Sequence, residues 1–217
     1  MIKEGKFIDL EGGEGSGKST QIRHLKKYFA EKYGAGRVVK THEPGGGMPN
    51  YREQIFAIKQ NNPGITDLEL AEKELELFEV DRALHVKNFI RPKIAAGCIV
   101  LCDRFVPSTV AYQGYARGMN LETVHQANKK ATSGIVPDLI ILMDINPEIG
   151  IARKFQNQTN ELTPFDKEKI SFHERVRAGF LAQASADPNR WVIIDASKSE
   201  TLITYQLIDI LSERLGL

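Results

Sequence analysis

The chain has 217 residues, 41% hydrophobic and 26% charged, and 29 Lys and Arg against 28 Asp and Glu leave a net charge of +1. That is the composition of a soluble globular protein, expected to form one domain over 1–217 with a full core. The near-neutral charge and short basic patches give no electrostatic case for nucleic acid or an anionic membrane as a main partner, and no apolar stretch approaches the roughly 20 residues that cross a bilayer.

In chain order, the N-terminal "MIKEGKF" lacks the charged-then-apolar order of a secretory leader, so the cytoplasm is the expected compartment. The first apolar run, "KFIDLE", reads as a strand. It feeds directly into "GGEGSGKST", where Gly12, Gly17, Lys18 and Ser19 fit G-x-x-x-x-G-K-S/T between a strand and a helix. In such a loop the backbone N–H groups from Gly12, Gly13, Glu14, Gly15, Ser16 and Gly17 to Ser19 and Thr20 surround a phosphate. Lys18 adds a point charge, and Ser19 a hydroxyl for Mg²⁺. A nucleoside triphosphate site follows, with one anomaly: Glu14 is an acid inside a loop built for anions, either with a task of its own or solvated at the surface.

Four more runs, "RVVKTHE", "CIVLCDR", "LIILMDI" and "WVIIDA", are β-branched and mostly unalternated, the pattern of strands buried on both faces. Helical patterns separate them at about 18–33, 50–60, 66–96, 108–132, 147–157, 168–186 and 199–214. Alternating β and α predicts an α/β fold, a five-stranded parallel sheet flanked by helices on both faces in a phosphate-loop NTPase architecture. Ligands in such folds gather beyond the carboxyl ends of the strands. Polar groups cluster at those ends: Glu11, His42-Glu43-Pro44, Asp103-Arg104 and Asp195. Cys98 and Cys102, the two cysteines of the chain, lie in or beside an apolar strand, which predicts reduced buried thiols and a reducing compartment.

The phosphate loop alone leaves the reaction open. The guanine-reading Asn-Lys-x-Asp begins at Asn128 but ends in Ala131, and no D-x-x-G switch follows the loop. Phosphoryl transfer to a small acceptor is the better reading. It needs an acceptor pocket, an acid near the metal and a lid that excludes water. Asp103, at a strand end, suits Mg²⁺ held through water, and Arg104 can span two phosphates; the pair can equally be a structural ion pair. Phe78 and Arg82 lie four apart on one helix face and could meet one base, although a phenylalanine there also suits the core.

The segments "EGGEGSGKST", "EPGG", "LFEVDRALH", "DRFVPSTVAYQGYARG", "PDLIILMDINPEIGIAR" and "FHERVRAGFL" recur in an order that resembles the thymidylate kinases along nearly the whole chain. The resemblance implies transfer of the γ-phosphoryl of ATP to dTMP, with Mg²⁺, in a cytoplasmic homodimer. It implies that Glu14 accepts from the 3′-hydroxyl of dTMP, that Phe78 stacks on thymine, and that Arg82 donates to its exocyclic oxygen. It also places Thr109 and Gln113 at the pyrimidine, Tyr112 against the 2′ position, Glu43, Pro44 and Ser108 in the dTMP site, and Arg153 against adenine. The segment at about 154–169 takes the place of the lid. Two departures stand out. His42 and Gly47 replace the arginine and threonine of R-E-P-G-G-T, leaving Arg52 to grip the dTMP phosphate only across a gap. In the lid, Pro164 stands where an arginine of D-R-x-E is usual, so Lys154, Lys167 and Lys169 are its cations. The alternatives are a same-fold kinase for another nucleoside monophosphate and a nucleotide-binding module with weakened catalysis.

Overall fold

A computed structural model describes residues 4–46, 49–156 and 162–217; Gly47 and 157–161, the centre of the expected lid, lie outside the described residues. The strands are β1 (Lys6–Glu11), β2 (Val38–His42), β3 (Ile99–Asp103), β4 (Leu139–Asp144) and β5 (Trp191–Asp195), forming one parallel sheet in the order β2-β3-β1-β4-β5. All five match the sequence expectation in place and type. Their readability follows from burial: Phe7, Ile8, Leu10, Val100, Leu101 and Ile141 are each 0% exposed, so neither face needs polar residues.

Helices α1 (Lys18–Tyr33) and α9 (Glu200–Leu215) cover one face, where Ile22, Leu25, Phe29, Ile203, Leu207 and Leu211 pack on Ile8, Leu10, Ile99 and Ile141. The other face carries α3 (Asp67–His85), running through a π turn (Val86–Ile90) into α4 (Arg91–Ala95), and α8 (Ile170–Ala186). There Val86, Ile90 and Phe105 pack on Phe7, Val100 and Cys102, while Phe172, Val176 and Phe180 pack on Ile140 and Leu142. Helix α2 (Pro49–Asn61) lies against α3, and α7 (Pro147–Gln156) against α8.

The expected helix 108–132 is divided. It comprises α5 (Val106–Thr109), a π segment (Val110–Ala116), a break, and α6 (Leu121–Thr132). Gly118 sits at φ 81, which ends the first part, and the Asn120 side chain accepts from Thr123 N–H, which starts the second. The π segment places Tyr112 and Gln113 side by side on the site wall. Among the described residues no helix is long and apolar enough to cross a membrane.

Candidate active site at the carboxyl edge of the sheet

Beyond the carboxyl ends of β1, β2 and β3 lies a cavity of about 860 Å³. Its walls include Glu14, Gly15, Ser16, Gly17, Lys18, Ser19 and Thr20 from the loop after β1, and Glu43 and Pro44 after β2. Arg52 of α2, Phe78 and Arg82 of α3, Asp103 and Arg104 after β3, Ser108, Thr109, Tyr112 and Gln113, and Arg153 of α7 complete it. Of the phosphate-loop residues singled out from the sequence, Gly12 and Gly13 are not on this wall; their carbonyls accept from Lys18 Nζ at 3.0 and 3.1 Å.

The loop's glycines are required by close packing. A Cβ on Gly15, whose φ is +67, would fall 1.9 Å from the Gly150 oxygen of α7, and one on Gly12 would fall 2.5 Å from Met143 O. Gly17, at φ 88, caps α1 and releases its first N–H groups toward the cavity. Lys18 is 7% exposed. Burial and the nearby Arg104 lower its ammonium from the ordinary value, while Asp103, Glu14 and Glu11 oppose them.

Glu14 points into the cavity wall, not outward. Its Oε1 accepts from Arg104 Nη2 and from the Tyr112 hydroxyl, both at 2.8 Å. Burial alone would raise its carboxyl, but Arg104, Lys18, the Tyr112 hydrogen bond and Lys154 bring it down to about 2. Arg104 sits at φ 71, a costly backbone for a non-glycine residue. Its Nη1 donates to Gly12 O and Ser108 Oγ, each at 3.1 Å, and the guanidinium lies 5.0 Å over the Tyr112 ring. Burial works against its charge, and Tyr112, Glu14, Glu11 and Asp103 together raise it above the usual arginine range. Glu11, which ends β1, sets this turn by accepting from Phe105 N–H (2.9 Å), Ser108 N–H (3.1 Å) and the Ser108 hydroxyl (2.6 Å).

Ser19 Oγ donates to Asp103 Oδ2 at 2.6 Å, so the first turn of α1 and the end of β3 present a hydroxyl and a carboxylate together. On the side of the cavity formed by α3, Arg82 is deeply engaged. Its side chain is 1% exposed, and all five N–H groups have partners. Nε donates to Glu43 Oε2 (2.9 Å), Nη1 to Glu79 Oε1 (2.7 Å) and Asn128 Oδ1 (2.5 Å), and Nη2 to Phe105 O (3.2 Å) and Thr109 Oγ1 (3.0 Å). Glu43 in turn meets His85 Nδ1 at 2.9 Å. Gln113 donates to Glu74 Oε2 at 2.8 Å. Arg52 lies 4.8 Å from the ring centroid of Phe56. Arg153 is anchored at the far end by Ala196 O (2.8 Å) and Ser197 O (3.2 Å).

Of the lysines around the expected lid, Lys154 lines the cavity and its Nζ lies 3.7 Å from Asp166 Oδ1, whereas Lys167 and Lys169 are exposed and off the cavity wall. Sequence reading also missed Phe56 and Phe165, both on the wall. Spacing offers no signal for them, since each reaches the site through a segment distant in sequence.

A family model described as thymidylate kinase matches residues 10–207. A thymidylate kinase of Solidesulfovibrio magneticus is 42% identical over 199 residues, covering 89% of this chain and 92% of that one. One of Protochlamydia amoebophila is 39% identical over 216 residues, 97% and 94% of the two chains. The crystal structure of thymidylate kinase from Ehrlichia chaffeensis superposes with a TM-score of 0.74 at 31% identity, over 96% of this chain and 99% of that one. With the phosphate loop, the Asp103-Arg104 strand end and Phe78 and Arg82 of α3 all on one cavity, the chain belongs to the thymidylate kinase family.

Proposed function

We propose that the protein transfers the γ-phosphoryl group of ATP to dTMP, giving ADP and dTDP, with residues 1–217 acting as one unit. The observation that carries this reading is the bond network of Glu14: a residue of the donor loop is held by Arg104 and Tyr112 of the acceptor wall, at 2.8 Å each. Donor and acceptor sites therefore share one rigid junction, as in-line transfer between two bound nucleotides requires.

In this reading the loop N–H groups and Lys18 hold the β- and γ-phosphates, and Arg153 lies against adenine. Ser19 and Asp103 are hard oxygen donors in contact with each other, a set that fits Mg²⁺, which when bound neutralises charge on the phosphate oxygens. Arg104 spans the acceptor phosphate and the transferred group. Glu14, ionised across the working pH range, accepts from the 3′-hydroxyl of dTMP, and Tyr112 crowds the 2′ position. Phe78 stacks on the base, Arg52 faces the acceptor phosphate beside Glu43 and Pro44, and Gln113 closes the base end. Arg82 fixes the Thr109 oxygen as an acceptor, which leaves the threonine proton to donate toward a base carbonyl. Thymine offers a carbonyl where cytosine offers an amino group, so dTMP is the favoured acceptor.

Two buried free cysteines suit a reducing cytoplasm, and a symmetric dimer is the assembly we propose by family likeness. The test is ADP release with MgATP and a panel of dTMP, dUMP, dCMP, dGMP and AMP. Turnover with dTMP well above dCMP, dGMP and AMP supports the reading. Strong preference for another monophosphate replaces it with the same-fold alternative.

A further inference from the structure

Arg117 ends the π segment that carries Tyr112 and Gln113, and its side chain is 4% exposed. It is absent from the cavity wall, yet it lies against Phe165, which lines that wall, and it grips Glu74, the partner of the wall residue Gln113. Nε and Nη2 form a bidentate pair with Glu74 Oε2 (2.7 Å) and Oε1 (2.9 Å), and Nη2 reaches Glu168 Oε1 at 3.3 Å. The guanidinium lies 5.0 Å from the Phe172 ring centroid and 5.7 Å from that of Phe165. Glu74 also holds the Gln113 amide, and Phe165 meets Tyr112 edge-on at 5.5 Å.

One buried cation thus joins the base end of the acceptor pocket to the Phe165–Glu168 stretch at the foot of the expected lid. The other ionic hold on Glu168 among the described residues is Lys59, whose side chain is 55% exposed at 3.4 Å and contributes little for that reason. Lysine cannot replace the planar fork, because it cannot bond both Glu74 oxygens in line while also facing Glu168.

Resting on the dTMP-kinase reading, we propose that Arg117 is a positioning residue that couples acceptor binding to placement of the lid foot. Seating a base against Gln113 fixes Glu74, Glu74 fixes Arg117, and Arg117 holds Glu168 and Phe165. By reciprocity, a placed lid foot also tightens the acceptor site.

The test uses limited trypsin cleavage after the exposed Lys167 and Lys169, with and without dTMP, on the full chain and on Arg117→Lys and Glu168→Gln, beside steady-state kinetics. dTMP should slow cleavage of the wild type by about fivefold or more, and either variant should lose most of that protection. KM for dTMP should rise about tenfold in Arg117→Lys while KM for ATP changes little. The double variant should be no worse than the worse single one, since both break the same link. If Arg117→Lys folds poorly, Glu168→Gln carries the test alone, because it changes one half-buried charge at the lid end. Equal dTMP protection in the wild type and both variants would overturn the coupling regardless of turnover. A wild type protected by dTMP that makes no dTDP would instead refute the reading of function.

Discussion

Arg104 Nη2 and Glu14 Oε1 lie 2.8 Å apart, and this contact explains why an acid is tolerated inside a phosphate-binding loop. The carboxylate turns away from the N–H groups of the loop and is neutralised by an arginine from the opposite wall. Its charge then orients Arg104 and Tyr112 and does not repel bound phosphate.

The same contact sets a pH dependence. The Glu14 carboxyl is depressed to about 2 from the ordinary glutamate value, so its stabilisation is fully present above the unfolded-state value and is lost as pH falls toward 2. That shift corresponds to roughly 3 kcal/mol at neutral pH. Glu14→Gln should lower stability at pH 7 by a large part of this amount, and the difference from the wild type should shrink between about pH 4.5 and pH 2. Urea unfolding of both proteins at several pH values checks it; a pH-independent difference would show that packing, not charge, is what glutamine loses.

Asp9 sits mid-strand in β1, 0% exposed, and neither carboxyl oxygen has a hydrogen-bond partner. Burial, then the nearby Glu11 and Glu43, raise its carboxyl well above the ordinary range. An acid with a raised folded-state value costs stability once pH exceeds the unfolded value, and the cost grows until the folded group also ionises. Asp9→Val should therefore stabilise the fold by about 1–2 kcal/mol near pH 8 and by less near pH 4. Denaturant midpoints at the two pH values decide; destabilisation at pH 8 would mean that Asp9 serves a polar contact in the bound state.

The lid cations should divide by position. Lys154 lines the cavity beside Asp166, so Lys154→Ala should lower kcat about tenfold or more with KM for dTMP little changed, as expected for charge felt mainly in the transition state. Lys167→Ala with Lys169→Ala should leave kcat within about twofold, because both side chains are exposed and off the wall. Steady-state kinetics under saturating MgATP distinguish these, and the reverse ranking would place the exposed lysines over the phosphates.

Asp103→Asn and Ser19→Ala should each raise the Mg²⁺ concentration needed for half-maximal turnover, the aspartate change by about tenfold or more since it also removes a charge. Titrating Mg²⁺ at fixed ATP measures this. An unaltered requirement in both variants would move the metal site elsewhere.

How much of this was legible in the sequence follows from where each signal resides. The strands were readable because continuous apolar runs buried on both faces leave no competing period, and the phosphate loop because its chemistry lies within nine adjacent residues. The division of 108–132 was not, since apolar periodicity continues across Gly118 and Asn120 and only the backbone turn there interrupts it. The sequence places Arg82 beside Phe78 on one helix face, but its bonding partners are not legible there. Its partners Glu43, Phe105 with Thr109, and Asn128 come from three segments that folding alone brings together. The Glu74–Arg117–Glu168 network is long-range in the same way, and composition could not rank Lys154 above Lys167.

The central claim is transfer between two nucleotides, and it is tested most directly by following the label from γ-³²P-ATP with dTMP, in the wild type and in Lys18→Ala. The account predicts that the label leaves ATP only when dTMP is present and appears in dTDP in equal amount to ADP. In Lys18→Ala that transfer should fall by about a hundredfold or more. Label released mainly as inorganic phosphate, or equally with and without dTMP, would contradict it.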